Sequence, residues 1–363
     1  MADRRNMKRE FNARNILFSA LLGASALFVT ACSSGLPQDT LDPAGKGARD
    51  IKNLIVPVFF VAGVIFVIVQ TILLVSAFRF RQRGEAEETE GPAECPEQIH
   101  GNTPLEVVWT IIPFLILVVI AVPTVRLIFE QHKVPESGSV LEIKVIGHQW
   151  WWEYEYPEFG IRTANEIHIP AGRPVKLTLT SQDVIHSFWI PRLAGKQDVF
   201  PGQERFLVLQ ADRELVTDSD GVSGNVLYGQ CVEFCGISHA NMKLRAVVQS
   251  DEDFEAWVAS QKAPAKVPDP GTKAAEGKRI FESSACIGCH TIAGGPAQGR
   301  LGPDLTHFAS RSTFAGSLFE RTDENLAAWL RNPPQQKPGA KMPNLGLSES
   351  EIEALVAYLQ SLE

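Results

Sequence analysis

The chain has 363 residues, is 45% hydrophobic and carries a formal net charge of −8. Length alone predicts two or three domains, and the acidic balance, with no basic cluster interleaved with aromatics, excludes nucleic acid as a natural partner. Four of the six cysteines stand in two tight pairs, a usage that suits metal or cofactor attachment better than the dispersed framework of a disulfide-rich fold.

The first fifteen residues, "MADRRNMKREFNARN", are basic, and "ILFSALLGASALFVTACSSG" follows them. A basic start, a short apolar run and small residues before a cut describe a secretory signal over 1–31. The sequence "FVTAC" resembles a lipoprotein signal, in which Cys32 would become the first residue and carry the lipid. The competing readings are an uncleaved helix and a plain buried thiol. Arg4 and Arg5 lack the rest of a twin-arginine signal. Residues 32–53 then form an extracytoplasmic segment.

Two charge-poor runs come next. Residues 54–78 contain no charged side chain, and 105–129 contain only Glu106 and Arg126, near the ends. Each is long enough to cross about 30 Å of hydrocarbon. Arg79, Arg81 and Arg83 open the intervening loop, 79–104, and place it in the cytoplasm by the positive-inside rule. The N-terminus and everything beyond Phe129 are then outside. Pro57, Pro113 and Pro123 lie within the spans, where neighbouring helices can re-satisfy freed carbonyls. They point to packing against a larger membrane partner. Cys95 in the loop reads as an inert thiol, and Glu106, from its position alone, as an interfacial carboxylate.

From Val140 the pattern changes to alternating apolar and polar residues broken by Pro-Gly and Ala-Gly turns. Short strands at this spacing predict an all-β sandwich, here over 135–258. Before its last strand lies "GQCVEFCGISHANMK". Cys231, Cys235, His239 and Met242 are spaced C-x3-C-x3-H-x2-M. Zinc seldom takes methionine, whereas thiolate, thioether and imidazole together select copper. His186, in "SQDVIHSFWIP", supplies a further imidazole from an earlier strand end. A Cys231–Cys235 disulfide would close a very small loop with little entropic gain and would leave His239 and Met242 unexplained.

These residues resemble the CuA loop of cytochrome c oxidase subunit II. The stretches "GHQWWWEYEYP", "HSFWIP", "AGKQDVFPG" and "PLEVVWTIIP" resemble the same family, so that the likeness covers roughly 51–257. The resemblance implies a cupredoxin-like domain with two coppers bridged by Cys231 and Cys235. It adds His186, His239, Met242 and the backbone carbonyl of Glu233 as further ligands. The Glu233 side chain would reach a magnesium ion at the interface with subunit I. Trp150 matches the residue that passes electrons to copper; Trp151, beside it, stands where tyrosine is more usual. Glu106 matches a carboxylate at the mouth of a proton pathway, reversing the reading from position alone.

An Ala/Pro/Lys-rich linker, 259–270, precedes the second cysteine pair. "CIGCH" is the attachment signature of c-type haem, with Cys286 and Cys289 as thioether donors and His290 as axial ligand. A lone C-x-x-C-H also serves as a zinc half-site or redox dithiol. "LGPDLTHFA" follows it, where Pro303 could brace the histidine, and Met342 stands in a Met-Pro turn before an amphipathic helix. His/Met ligation suits electron transfer, and His307 is the rival to Met342. Residues 271–363 resemble a class I cytochrome c and are all-α. They hold nine Lys/Arg against ten Asp/Glu, a balance that fits a tethered donor with little need of electrostatic steering.

The whole therefore resembles subunit II of a haem–copper terminal oxidase in a bacterial inner membrane. It implies subunits I and III as partners, contact with membrane lipid, and an upstream cytochrome or quinol–cytochrome c reductase as donor. The corresponding subunit of a nitric oxide reductase and a membrane-anchored copper-binding protein remain alternatives. A quinol oxidase subunit would be expected to lack the copper ligands.

Overall fold

The structure, a computed structural model, describes residues 36–81, 101–134, 140–217 and 226–363. The signal segment, Cys32 and Cys95 lie outside the described residues. Helix α1 runs Lys46–Arg79 and α2 runs Thr103–Gln131. Both are long and apolar enough to span a bilayer, and their large side chains, such as Phe59, Phe66, Phe114 and Val119, face outward. That is the expected arrangement for helices whose solvent is lipid. Pro57, Pro113 and Pro123 lie inside them.

Helix α1 starts eight residues before the apolar run does. Its first turn is not free: the Lys46 N–H donates to Gln210 O at 3.1 Å and the Ala48 N–H to Leu193 O at 3.0 Å. Gln131, the last residue of α2, donates to Gly47 O at 3.1 Å. The orphan amides of a helix start thus find acceptors in the following domain, and this extends the helix beyond its hydrophobic core. At the start of α2, the Asn102 side chain accepts from the Leu105 N–H. Glu106 accepts from the Asn102 N–H in return, a reciprocal cap.

The next domain has ten strands in two sheets. They are β1 Leu141–His148, β2 Trp151–Tyr156, β3 Ile161–Ala164, β4 Glu166–Pro170, β5 Val175–Ser181, β6 His186–Trp189, β7 Gln197–Val199, β8 Arg205–Leu209, β9 Val226–Cys231 and β10 Lys243–Gln249. One sheet has the order β3-β2-β1-β5-β8 and the other β4-β10-β9-β6-β7. The pairs β1/β5 and β4/β10 are parallel and the remaining neighbours antiparallel. Strict alternation along β1, β5 and β10 turns Leu141, Ile143, Val145, Leu177, Leu179 and Ala246 into one core. Every second side chain of a strand faces the opposite sheet, so the period alone fixes the sandwich. A short helix, α3 (Glu214–Thr217), follows β8.

Helix α4, Asp251–Lys262, carries the chain past β10. It absorbs the first residues of the expected linker because Phe254 and Trp257 pack on the sandwich. The C-terminal domain comprises α5 Lys273–Ser283, α6 Cys286–Cys289, the hairpin β11 Thr313–Phe314 and β12 Phe319–Glu320, then α7 Asp323–Arg331, α8 Pro333–Gln336 and α9 Glu349–Gln360. Helices α5 and α9 cross closely. A Cβ on Gly277 would lie 1.9 Å from the Ala354 carbonyl oxygen, so only glycine permits the crossing. A second core forms beneath them, including Phe281, Leu326, Leu355 and Tyr358.

Candidate metal and haem centres

Cys231 ends strand β9, while Cys235, His239 and Met242 lie on the turn that leads into β10, and His186 begins β6. Strand pairing brings β6 beside β9, with Phe188 opposite Cys231. The sheet, rather than the loop, therefore delivers His186. The Cys231 and Cys235 sulfurs lie 3.9 Å apart, about twice a disulfide bond length, and both cysteines are free. His186 Nδ1 is 3.9 Å from Cys231 Sγ. His239 Nδ1 is 3.6 Å and Met242 Sδ 3.9 Å from Cys235 Sγ. The Glu233 carbonyl oxygen is 3.3 Å from Cys231 Sγ. Both cysteines, His186 and Met242 are buried.

Electrostatics match this geometry. Hydrogen bonding from Cys235 draws the Cys231 thiol down to about 4 against the opposing effect of burial, helped by His186 and backbone amides. Cys235 is pushed up by the same neighbour, since two adjacent thiolates repel. Burial works against charge on His186, yet the Asp183 carboxylate holds it above its usual value. Asp183 Oδ1 sits 2.9 Å from His186 Nε2, which fixes the ring and leaves Nδ1 facing the sulfurs. Asp183 itself lies well below the usual carboxylate range. Burial opposes this, but His186, the Gln149 amide and Lys341 bind its charged form. The Trp150 indole N–H donates to Cys235 O at 3.1 Å and the Gln149 side chain to the same oxygen at 2.8 Å. Trp151 instead stacks on His148, with ring centroids 4.2 Å apart.

In the C-terminal domain, Cys286, Cys289 and His290 sit on α6 and the residue after it. His290 Nδ1 faces Pro303 O at 2.8 Å, so Nε2 is the nitrogen left for a ligand. Burial lowers the His290 pKa, partly offset by that carbonyl, and a neutral imidazole is what iron requires. A Cβ on Gly302 would come 2.6 Å from the His290 ring, so the ring is backed tightly. His307 is committed elsewhere: its ring nitrogens lie 2.8 Å from Glu363 O and 3.0 Å from Ala263 O. Met342 is half-buried and packs against the domain core. Glu106 is far in sequence from both sites and acts locally as the α2 cap.

Three stretches match known families. Residues 37–127 match the transmembrane domain of cytochrome c oxidase subunit II, 160–250 its periplasmic domain, and 274–363 cytochrome c. Cytochrome c oxidase subunit 2 of Alkalihalophilus pseudofirmus is 38% identical over 93% of this chain and 94% of its own length. The chain belongs to the cytochrome c oxidase subunit II family. The Bacillus subtilis member is 32% identical over 94% of this chain and 96% of its own. A quinol oxidase subunit 2 of Bacillus cereus is also similar, at 32% identity over 70% of this chain and 83% of its own. Among solved structures, the periplasmic domain of oxidase subunit II from Bradyrhizobium japonicum is 30% identical, with a TM-score of 0.31, covering 36% of this chain and 97% of that one.

A subunit II with a fused cytochrome c domain implies a two-pass membrane protein carrying copper and haem c. The residues present fit both groups. Two thiols, two imidazoles, a thioether and a carbonyl converge as a soft donor set suited to copper. Beside His290, Arg311 is buried and its Nε finds no hydrogen-bond partner among the described residues. A buried cationic donor there suits the carboxylates that haem carries. Arg311 and Asp183 have no sequence signature of their own. Asp183 was within reach of inspection, three residues before His186, but only the fold shows where its carboxylate points.

Proposed function

We propose that this chain takes up electrons at haem c and relays them through the copper centre to subunit I, where oxygen is reduced to water. Cys286 and Cys289 would hold haem c covalently, and His290 and Met342 would ligate its iron. Cys231, Cys235, His186, His239, Met242 and the Glu233 carbonyl would hold the copper pair. Copper held by this set would supply one-electron transfer, with the thiolates and the thioether suited to it.

The observation that carries this reading is the placement of Trp150. Its indole N–H is bonded to the carbonyl of Cys235, and its own carbonyl accepts from Lys337 of the C-terminal domain at 2.7 Å. One residue therefore touches both the copper loop and the haem domain. The full copper donor set favours a cytochrome c oxidase over a quinol oxidase, in spite of the similarity to both.

The exposed Glu233 side chain would reach magnesium at the subunit I interface, where the exposed Phe234 and Ile237 of the same loop supply apolar contact. Glu106 would serve the mouth of a proton pathway and Cys32 would carry lipid. Subunit III, a bacterial inner membrane and an upstream cytochrome or reductase complex complete the proposal. The decisive experiment is oxygen uptake by the native complex, purified through a tag on this chain and fed by an artificial haem reductant. Cyanide-sensitive uptake supports the oxidase; consumption of nitric oxide without oxygen uptake would transfer the chain to a reductase.

A further inference from the structure

The two soluble domains exchange buried polar side chains. Glu166, at the start of β4, is 2% exposed. Its carboxylate accepts from the Ser312 N–H at 2.9 Å, the Ser312 hydroxyl at 2.6 Å, the Thr313 N–H at 2.7 Å and the Thr313 hydroxyl at 2.8 Å. All four donors belong to the C-terminal domain. In the other direction Lys337, 3% exposed, donates to Trp150 O and to Ala315 O, both at 2.7 Å. A polar side chain is buried at such a place only when its partners are in position; Glu166 finds all of its donors across the domain boundary, and Lys337 finds Trp150 there and Ala315 in its own domain.

The hairpin tip supports the same geometry. Ala315, Gly316 and Ser317 all have positive φ, and a Cβ on Gly316 would lie 2.6 Å from Trp150 O. Three consecutive left-handed residues persist only where surroundings over-determine them. Here the Lys243 N–H donates to Gly316 O at 3.0 Å and Ser317 donates to Asn165 O at 3.3 Å. At the rim, Lys341, next to Met342, pairs with Asp183 at 2.9 Å, and Arg162 reaches Thr291 at 2.8 Å.

We propose that Glu166 and Lys337 are positioning residues that latch the haem domain in one fixed orientation over Trp150. The proposal rests on reading the chain as an electron relay. The haem domain is then a fixed module and not a donor swinging on its linker. Docking is set by reciprocal buried hydrogen bonds, which specify one geometry, whereas rim ion pairs tolerate many. Trp150, only 8% exposed, is sealed from outside donor proteins, which must deliver electrons to the haem domain.

The test uses the assembled complex with copper and haem c loaded, comparing wild type with Lys337→Met and Glu166→Gln. Proximity is read by the relaxation that the oxidised haem iron imposes on the copper paramagnetic resonance signal. Transfer is read as the transient haem-to-copper rate at increasing viscosity. Wild type should show strong relaxation coupling and a viscosity-independent rate. The variants, with unchanged haem and copper absorption, should lose the coupling, slow at least about tenfold and become viscosity-dependent. Gly316→Val should do the same by collision with Trp150 O and Lys337 Nζ, each 2.6 Å from a Cβ at that position. Variants that keep both readouts overturn the latch, and so does a wild-type rate that falls with viscosity, a result that needs no variant. Absence of any haem-to-copper transfer in wild type would instead overturn the relay, and the relaxation readout would still judge the latch.

Discussion

In the sandwich, the proposed copper donors come from two strands and the turn between β9 and β10, and the sheets hold them in register. In the C-terminal domain, Cys286, Cys289 and His290 come from a single helical turn and the residue after it, while the bracing carbonyl of Pro303, Arg311 and the proposed ligand Met342 arrive from elsewhere. One site is assembled throughout by tertiary structure, whereas the attachment motif of the other is local sequence. The difference teaches where each should be fragile. Damage to the proposed copper ligands should remove metal from an intact sandwich, because the core of Leu141, Ile143, Leu177 and Leu179 does not depend on them. Damage to the helix crossing reaches the haem site through the whole small domain.

The sharpest break is Cys235→Ser. It should eliminate the thiolate-to-copper absorption while covalent haem, stained on a denaturing gel, remains at wild-type level. Loss of both together would show that the two sites fold as one unit. Gly277→Ala comes next, since its Cβ would press into the Ala354 carbonyl. It should destabilise the haem domain by about 3 kcal/mol, read by denaturant titration of the haem absorbance, with copper absorption unchanged at low denaturant. Asp183→Asn should weaken copper binding by about ten- to a hundredfold, measured by competition with a chelator, because the His186 ring loses its anionic partner but keeps its place in β6. The smallest effect is Ser348→Ala. Ser348 caps α9 in a reciprocal box with Glu351, and its loss should destabilise the haem domain by about 1 kcal/mol without moving either spectrum.

Local patterns carried much of this architecture into the sequence. The apolar runs announced two spans, period-two alternation announced the sandwich, and one contiguous motif named Cys231, Cys235, His239 and Met242, whose side chains the fold brings together. What could not be read there depends on partners distant along the chain. The early start of α1 comes from acceptors at Leu193 and Gln210. The extension of α4 into the expected linker follows from packing of Phe254 and Trp257. His307 looked like a rival haem ligand until its ring was seen between the carbonyls of Ala263 and Glu363. Glu166 and Lys337 are ordinary charged residues in the sequence; only docking buries them. The near-neutral haem domain suggested a donor on a tether, yet its contacts with the sandwich are specific and buried.

The hydrogen bonds that join the first turn of α1 to Leu193 and Gln210, and Gln131 to Gly47, have a mechanical result. Among the described residues these bonds tie the span pair directly to the sandwich, so the height of the thiolates above the bilayer is a built-in dimension of the chain. A tilt of the helices is transmitted upward as a lever transmits rotation, and the bilayer itself becomes the reference plane for the copper centre.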